Sequence, residues 1–295
     1  MRSALSTLEL LRPRSLRHAL EALSGSLAGE RLTPLAGGTD LFVSLNFGQL
    51  PARRYLDLSG LRGLSGIRLG RGAVTLGALT TFREIREHAD LKRRFPSLAA
   101  AAAEIGAWQI QNRATLAGNI ANASPAGDSI PVLLAHDAVV HARSVRGARE
   151  IPLERLYRGY RDLALDPDEL ITAVTLPSAP ARAFPFFRKV GTRRAQSISK
   201  VVFCGLLARD REGRVSHVRL AYGSVAPVTL RARRAEEVLL DERPSAAAAE
   251  RARGALAEDI APIDDIRSSR EYRLAVAGNV LDQFLRAADP AFAKA

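Results

Sequence analysis

The sequence predicts an α+β protein in three parts. Three observations lead there: apolar runs of strand length broken by glycine turns, alanine-rich stretches of helix, and a Pro/Ala segment that sets off the last third of the chain. At 295 residues with 47% hydrophobic content, the chain can bury about 75% of its unfolded surface, a size that favours two or three subdomains over one.

The first part runs from Ser15 to about Asp57. Ser15 is the expected N-cap of a helix whose apolar face is Leu16, Ala19, Leu20 and Leu23. A strand over Leu32 to Ala36, a glycine turn and a second helix follow, and Pro51 closes this small α/β cap. The N-terminus, Met1 to Arg17, is basic, but Glu9 breaks its apolar stretch well short of a signal-peptide core, so it reads as part of the fold. The second part spans Leu61 to about Leu176. Strands Ile67 to Leu69 and Ala73 to Leu76 flank the hairpin turn Gly70-Arg71-Gly72, and Thr81 caps a helix ending before Pro96. An alanine-rich helix over Ser97 to Ile105, a second glycine turn and the apolar strand Ala138 to His141 complete it. Ser178-Ala179-Pro180-Ala181-Arg182-Ala183 reads as a linker. Beyond it, two strands joined at Arg211-Glu212-Gly213 precede helices near Arg231 to Leu240, Ala246 to Ala257 and Arg270 to Leu285.

Charge and composition narrow the function. The 43 Lys+Arg against 31 Asp+Glu give +12, yet the arginines are dispersed and aromatics are only 5%, which leaves no stacking platform for nucleic acid. An acidic protein partner or an anionic cofactor suits this charge better. No window reaches eighteen apolar residues, so no membrane span is expected. The single cysteine, Cys204, excludes a disulfide framework and a four-thiolate iron–sulfur cluster within this chain, so redox chemistry here needs an organic cofactor. Cys204 itself reads as a buried strand residue.

The residues that carry chemistry are the two glycine turns, Ala36-Gly37-Gly38-Thr39-Asp40 and Thr115-Leu116-Ala117-Gly118-Asn119. Glycine permits φ > 0 and lets an anion approach bare N–H groups, so two such turns suit a pyrophosphate gripped from both sides. Neither has the strand-GxGxxG-helix form or the GxxxxGK[ST] form. The second turn runs on to Pro131 through small and amide residues, among which Asn119, Asn122, Ser124 and Asp128 offer partners for a polyol such as a ribityl chain. A loop of this composition is expected to be open to a ligand. Other chemistries lack support. His18, His88, His136, His141 and His217 form no HxxxH pair, and His136 and His141 are expected on opposite faces of a strand, so no metal site is expected. No GxSxG elbow occurs, Asp264-Asp265 sit where acids offset a helix dipole, and Trp108 has no assigned role.

Four strings, LAGGTDL (35 to 41), ATLAGNIANASPAGDSIPVLLA (114 to 135), FRKVGTRRAQSISKV (187 to 201) and PIDDIRSSREYRLAVAGNVLDQFL (262 to 285), resemble the FAD-binding medium subunit of molybdenum hydroxylases. That group includes xanthine dehydrogenases and aerobic carbon monoxide dehydrogenases. The resemblance runs from Leu8 to Leu285 in the same order and spacing.

It implies a two-subdomain, vanillyl-alcohol-oxidase-like (PCMH-type) FAD-binding fold over residues 1–177, with subdomains of about 1–57 and 58–177. A linker at 178–184 and an α+β C-terminal domain of the CO-dehydrogenase-flavoprotein kind at 185–288 complete the expected organisation. It further implies that Pro34, Leu35, Ala36, Gly37, Gly38, Thr39, Asp40 and Leu41 form the first pyrophosphate loop, and Thr115, Leu116, Ala117, Gly118 and Asn119 the second. Asp128 would accept from a cofactor hydroxyl, Ile105 and Ile171 would line the flavin pocket, and Lys189 would favour the negative charge of the reduced ring. Read from the residues alone, Ile105 and Ile171 suit a plain core equally, and Lys189 suits a solvated strand in the basic run Arg188, Arg193, Arg194. The implied FAD is non-covalent, since the matching loops hold no His or Cys placed to bond the ring.

The implied partners are a molybdopterin-binding large subunit and a [2Fe–2S] small subunit in a cytoplasmic heterotrimer. NAD is one candidate electron acceptor. Two positions depart from the family: Ala117 replaces a common glycine, and Gln196 stands where animal xanthine dehydrogenases carry an acid, so the acceptor does not transfer. A xanthine-dehydrogenase-like complex is the first expectation and a carbon-monoxide-dehydrogenase-like one the second. A 4-hydroxybenzoyl-CoA-reductase type is disfavoured, since its subunit carries an extra cysteine-ligated cluster. A cofactor-free scaffold of the same fold and a self-sufficient flavin oxidase are the alternatives from other classes.

Overall fold

Each of the three parts of the chain builds its own main sheet. The computed structural model describes residues 8–26, 29, 31–49, 53–193, 196–289 and 292, so Pro51, Arg194 and the first residues of the basic N-terminus lie outside the described residues. In the first part β1 (Glu9–Leu11), α1 (Leu16–Gly25), β2 (Thr33–Leu35), α2 (Leu41–Asn46) and β3 (Arg54–Asp57) form a parallel sheet in the order β1-β3-β2. Ser15 caps α1 as expected, its hydroxyl accepting the His18 N–H, while Ala19, Leu20 and Leu23 face the core. Strands β1 and β3 fall outside the sequence expectation, because three and four residues display no readable period.

The second part contains β4 (Ile67–Leu69), β5 (Ala73–Gly77), α3 (Phe82–Glu87), α4 (Ala89–Arg94), α5 (Pro96–Glu104), α6 (Trp108–Gln111), α7 (Leu116–Ala121) and α8 (Ile130–Ala135). Then come β6 (Val139–Ser144), β7 (Gly147–Pro152), the small hairpin β8 (Tyr157–Gly159) and β9 (Asp162–Leu163), and β10 (Leu170–Pro177). Its antiparallel sheet has the order β4-β5-β10-β6-β7. The hairpin at Gly70 closes as expected, with Gly70 N–H on Ala73 O at 2.9 Å. Thr81 and Glu84 form a reciprocal capping box. The single helix expected from Thr81 is two, broken where His88 takes an extended conformation at φ −69, ψ 117. His136 is not on a strand with His141: it ends α8 and is buried against the Phe95 ring.

The last part is the antiparallel sheet β11 (Phe184–Val190), β12 (Val201–Arg209), β13 (Val215–Gly223) and β14 (Leu230–Arg231), followed by α9 (Arg233–Leu239), α10 (Ala246–Asp259) and α11 (Arg270–Ala288). Phe184 pairs with Leu207 in this sheet, so the strand begins inside the segment expected as a linker at 178–184. Strand β12 is buried on both faces, and its period of two sorts its side chains. Val201, Phe203 and Leu207 enter the C-terminal core, whereas Cys204 and Leu206 join the core of the preceding part. Each fully buried large side chain contributes about 1.5–3 kcal/mol, so β12 welds the two cores. Cys204 is buried as expected, and burial pushes its thiol up to about 12.

Polar contacts reinforce the join. Asp137, just after α8, takes Arg219 at 3.1 Å and Arg231 at 2.8 Å, and Glu154 pairs with Arg233. Among the described residues no helix is long and apolar enough to cross a membrane, and no three His, Cys, Asp or Glu gather as a metal site.

Candidate functional site

Where β2 ends at Leu35, the chain turns through Ala36–Asp40 into α2. Gly38 has φ +74, a conformation that L side chains rarely adopt, and its carbonyl takes the Phe42 N–H at 2.9 Å. Gly37 is needed for a different reason: a Cβ there would lie 1.9 Å from Arg113 O. The first loop therefore rests directly on the backbone that leads into the second. Among the described residues the N–H groups of Gly37, Gly38, Thr39, Asp40 and Leu41 meet no acceptor within the chain. Consecutive unpartnered N–H groups at a helix start attract an anion. Pro34 and Asp40 are exposed at the rim, and the residues between are half-buried.

The second segment behaves differently. Thr115–Asn119 is not an open turn but the start of α7, with Thr115 as N-cap. Leu116 N–H donates to Thr80 O at 2.9 Å, Ala117 N–H to Ala78 O at 3.2 Å, Gly118 N–H to the Thr115 hydroxyl at 3.1 Å and Asn119 N–H to Thr115 O at 3.0 Å. The expectation of bare N–H groups fails here because carbonyls from the loop after β5 supply the acceptors. Gly118 has no positive φ; its lack of a Cβ makes room for the Thr115 hydroxyl, 2.8 Å from where that atom would stand. Ala117 is buried in the helix, which explains how alanine fits where glycine is common.

The small-residue loop that follows is also less open than its composition predicts. Ala123, Gly127, Asp128 and Ser129 are buried, because the loop docks on the C-terminal sheet. Pro125 O accepts from Ser224 N–H at 2.8 Å and from the Thr229 hydroxyl at 3.3 Å. Asn119 Oδ1 accepts from Ser129 Oγ at 2.7 Å, which ties α7 to Asp128 through one residue.

Asp128 sits at the centre of a buried polar cluster. Lys189 Nζ donates to its Oδ2 at 2.7 Å and to Glu104 O at 3.1 Å, and Ser199 Oγ donates to its Oδ1. The Lys189 side chain is 3% exposed, so it is not a solvated strand residue. Burial pushes the Asp128 carboxyl above the usual carboxylate range, and the Lys189 ammonium and Ser199 hydroxyl pull it back. Both carboxylate oxygens already serve the chain, so only their remaining lone pairs are open to a ligand hydroxyl.

Ile105 and Ile171 are both buried. Ile105 follows the carbonyl that Lys189 takes. Ile171 precedes a bulge in β10, where Thr172 O accepts the Ala78 N–H at 3.0 Å; Ala78 O in turn accepts from Ala117. The expected site residues are thus stitched together from six parts of the chain. Sequence reasoning missed Ser199, Ala78 and Thr80. Ser199 has no local pattern to mark it, and the other two act through carbonyls, which every residue type carries.

Residues 6–179, more than half of the chain, match the FAD binding domain in molybdopterin dehydrogenase. The chain belongs to that family. This FAD-binding chain continues with a match to the CO dehydrogenase flavoprotein C-terminal domain over residues 186–288. It is 33% identical to the xanthine dehydrogenase FAD-binding subunit of Escherichia coli O157:H7 over 242 residues, 81% of this chain and 82% of that one. It is 30% identical to the 6-hydroxypseudooxynicotine dehydrogenase complex subunit alpha of Paenarthrobacter nicotinovorans, over 92% and 90% of the two chains. A solved chain of carbon monoxide dehydrogenase from Hydrogenophaga pseudoflava superposes with a TM-score of 0.90 at 27% identity, covering 95% of this chain and 96% of that one. The architecture is therefore the expected FAD-binding fold with its α+β C-terminal domain, and FAD is the cofactor. The unpartnered N–H run at Gly37–Leu41 and its side-chain-free contact with Arg113 fit a phosphate-bearing cofactor of that kind.

Proposed function

We propose that this flavoprotein is the electron-relay subunit of a xanthine-dehydrogenase-like molybdenum hydroxylase complex in the cytoplasm. The observation that carries the reading is the row of unpartnered N–H groups at Gly37–Leu41, packed on Arg113 in a chain of the FAD-binding family. When bound, FAD supplies the redox chemistry, accepting electrons from one partner and releasing them to NAD or another acceptor.

The chain's own residues bind and orient. Gly37 to Leu41 present N–H groups to the pyrophosphate, with Pro34, Leu35 and Ala36 leading the strand to that point. Thr115, Leu116, Ala117, Gly118 and Asn119, whose helix start is fixed by Thr80 and Ala78, would steady the backbone at Arg113 on which that loop rests. Ile105 and Ile171 exclude water from the ring pocket, and Lys189, held by Asp128, brings a buried positive charge to that pocket. Its lone cysteine is buried at Cys204, so the [2Fe–2S] clusters that feed the flavin belong to a small subunit, and substrate oxidation to a molybdopterin-binding large subunit.

The 33% identity to the xanthine dehydrogenase subunit supports the first choice of complex. The fold likeness to carbon monoxide dehydrogenase favours the second reading, a medium subunit of that type. The test is anaerobic flavin reduction by xanthine, with and without the two co-expressed partner chains. Bleaching only in the heterotrimer supports the relay, and equal bleaching of this chain alone would replace it with a self-sufficient oxidase. Acid precipitation should release the yellow cofactor into the supernatant, since the matching loops hold no His or Cys to bond the ring.

A further inference from the structure

The end of α5 shows three consecutive backbone carbonyls, each taken by a side chain from elsewhere. A helix leaves its last carbonyls without intrahelical partners, and a polar group left unmet in a buried place is costly. Here Gln111 Nε2 donates to Ala103 O at 3.0 Å and to Ile105 O at 3.0 Å, while Lys189 takes Glu104 O between them at 3.1 Å. Gln111 is 2% exposed, and its two amide protons are both used. Its Oε1 accepts from Arg86 Nη1 at 2.5 Å, which fixes the orientation of the amide. Arg86 is itself held in place. Its guanidinium lies 3.8 Å from the Trp108 ring centroid and donates to Glu87 at 2.9 Å. The chain then turns back at Gly106, φ +55, where a Cβ would fall 2.8 Å from Ile110.

We infer that Gln111 is a positioning residue for the flavin pocket, with Arg86 acting through it. The amide bridges the carbonyls on either side of Glu104 and so presents Glu104 O to Lys189 and the Ile105 side chain to the pocket. Without it, the carbonyls of Ala103 and Ile105 lose the donor that holds them. The lysine would then be tied to a wandering carbonyl, and the wall formed by Ile105 would loosen. This inference rests on the cofactor reading given above, since it assigns Ile105 and Lys189 to the ring pocket.

The experiment uses the full chain stripped of flavin and titrated with FAD. Gln111→Met keeps the volume and removes all three hydrogen bonds. It should weaken FAD binding about tenfold, the size of one lost contact of ordinary strength, and change the visible circular dichroism of the flavin at saturation. Arg86→Met, at a half-exposed position that tolerates change, should give the same sign with a smaller loss. For FAD binding the double variant should be no weaker than Gln111→Met alone, because Arg86 reaches the pocket only through the amide; independent effects of the two side chains would make the losses add. Wild-type dichroism and affinity in Gln111→Met, or additive losses in the double variant, would overturn the inference. A wild-type chain that binds no FAD would instead overturn the cofactor reading on which it stands.

Discussion

The loop Ala36–Asp40 and the segment Thr115–Asn119 share small residues and glycine, yet they treat their backbone in opposite ways. Among the described residues the N–H groups of Gly37 to Leu41 meet no acceptor, whereas Leu116, Ala117, Gly118 and Asn119 hand theirs to Thr80, Ala78 and Thr115. A glycine-rich string therefore has two meanings. At Gly38 the absent side chain serves a positive φ and leaves donors for a ligand; at Gly118 it serves the hydroxyl of a helix cap. On the reading proposed above, one region is a receptor and the other is the frame that holds it.

The largest expected effect falls on the frame. Lys189→Met removes the cation beside buried Asp128, and breaking a buried pair by deleting one partner costs about 3–5 kcal/mol. Urea unfolding should show that loss even without FAD, while Lys189→Arg should lose less. An unchanged midpoint would mean that the cluster is ornamental.

Acid should act on the same side of the molecule. Burial pushes His136 down to about 4, with Pro177 O taking a ring N–H in opposition. A histidine depressed in the folded state contributes stability that is fully present above its unfolded value of about 6.5 and is lost as pH falls through its folded value. The contribution is about 3 kcal/mol, and it should disappear from the difference between wild type and His136→Asn as unfolding is followed from pH 7 downward. Parallel curves for the two proteins would refute the shift.

On the receptor side, Gly37→Ala places a methyl against Arg113 O, and overpacking of this kind costs about 1–3 kcal/mol. Its signature is a disproportionate drop in flavin content, read from absorbance per chain, because the loop is pushed off the surface that orients its N–H groups. The smallest effect is that of Thr115→Ala, a lost helix cap of about 1 kcal/mol. Thermal unfolding should register it while flavin occupancy stays near wild type. If Thr115→Ala instead empties the site and Gly37→Ala does not, receptor and frame have been assigned the wrong way round.

How much of this was legible beforehand differs residue by residue. Ser15, Thr81 and the Gly70 hairpin announce themselves because caps and tight turns are decided by neighbours within four residues. The glycines at 37 and 38 are legible as a turn, and their string carried the family. The fate of the second segment was not legible, because its acceptors are main-chain carbonyls of Ala78 and Thr80, and no residue type encodes an available carbonyl. Lys189 is readable both as a pocket residue and as a solvated member of a basic run; only the return of β11 beside the Asp128 loop reveals it as a buried partner. Even the break at His88 depends on how α4 packs, since nothing in Glu87-His88-Ala89 forbids a continuous helix.

The docking of Pro125 and Asp137 on the C-terminal sheet has a consequence for the order of events during synthesis. The residues that clasp them, Ser224, Thr229, Arg219 and Arg231, leave the ribosome well after the loop they secure. Until β13 and β14 emerge, Pro125 O and the Asp137 carboxylate have no partners, although Ile120 and the apolar face of α8 already belong to the core of the preceding part. A nascent chain halted before β12 lacks that clasp. The clasp on this stretch is complete only once residues 219–231 have been made.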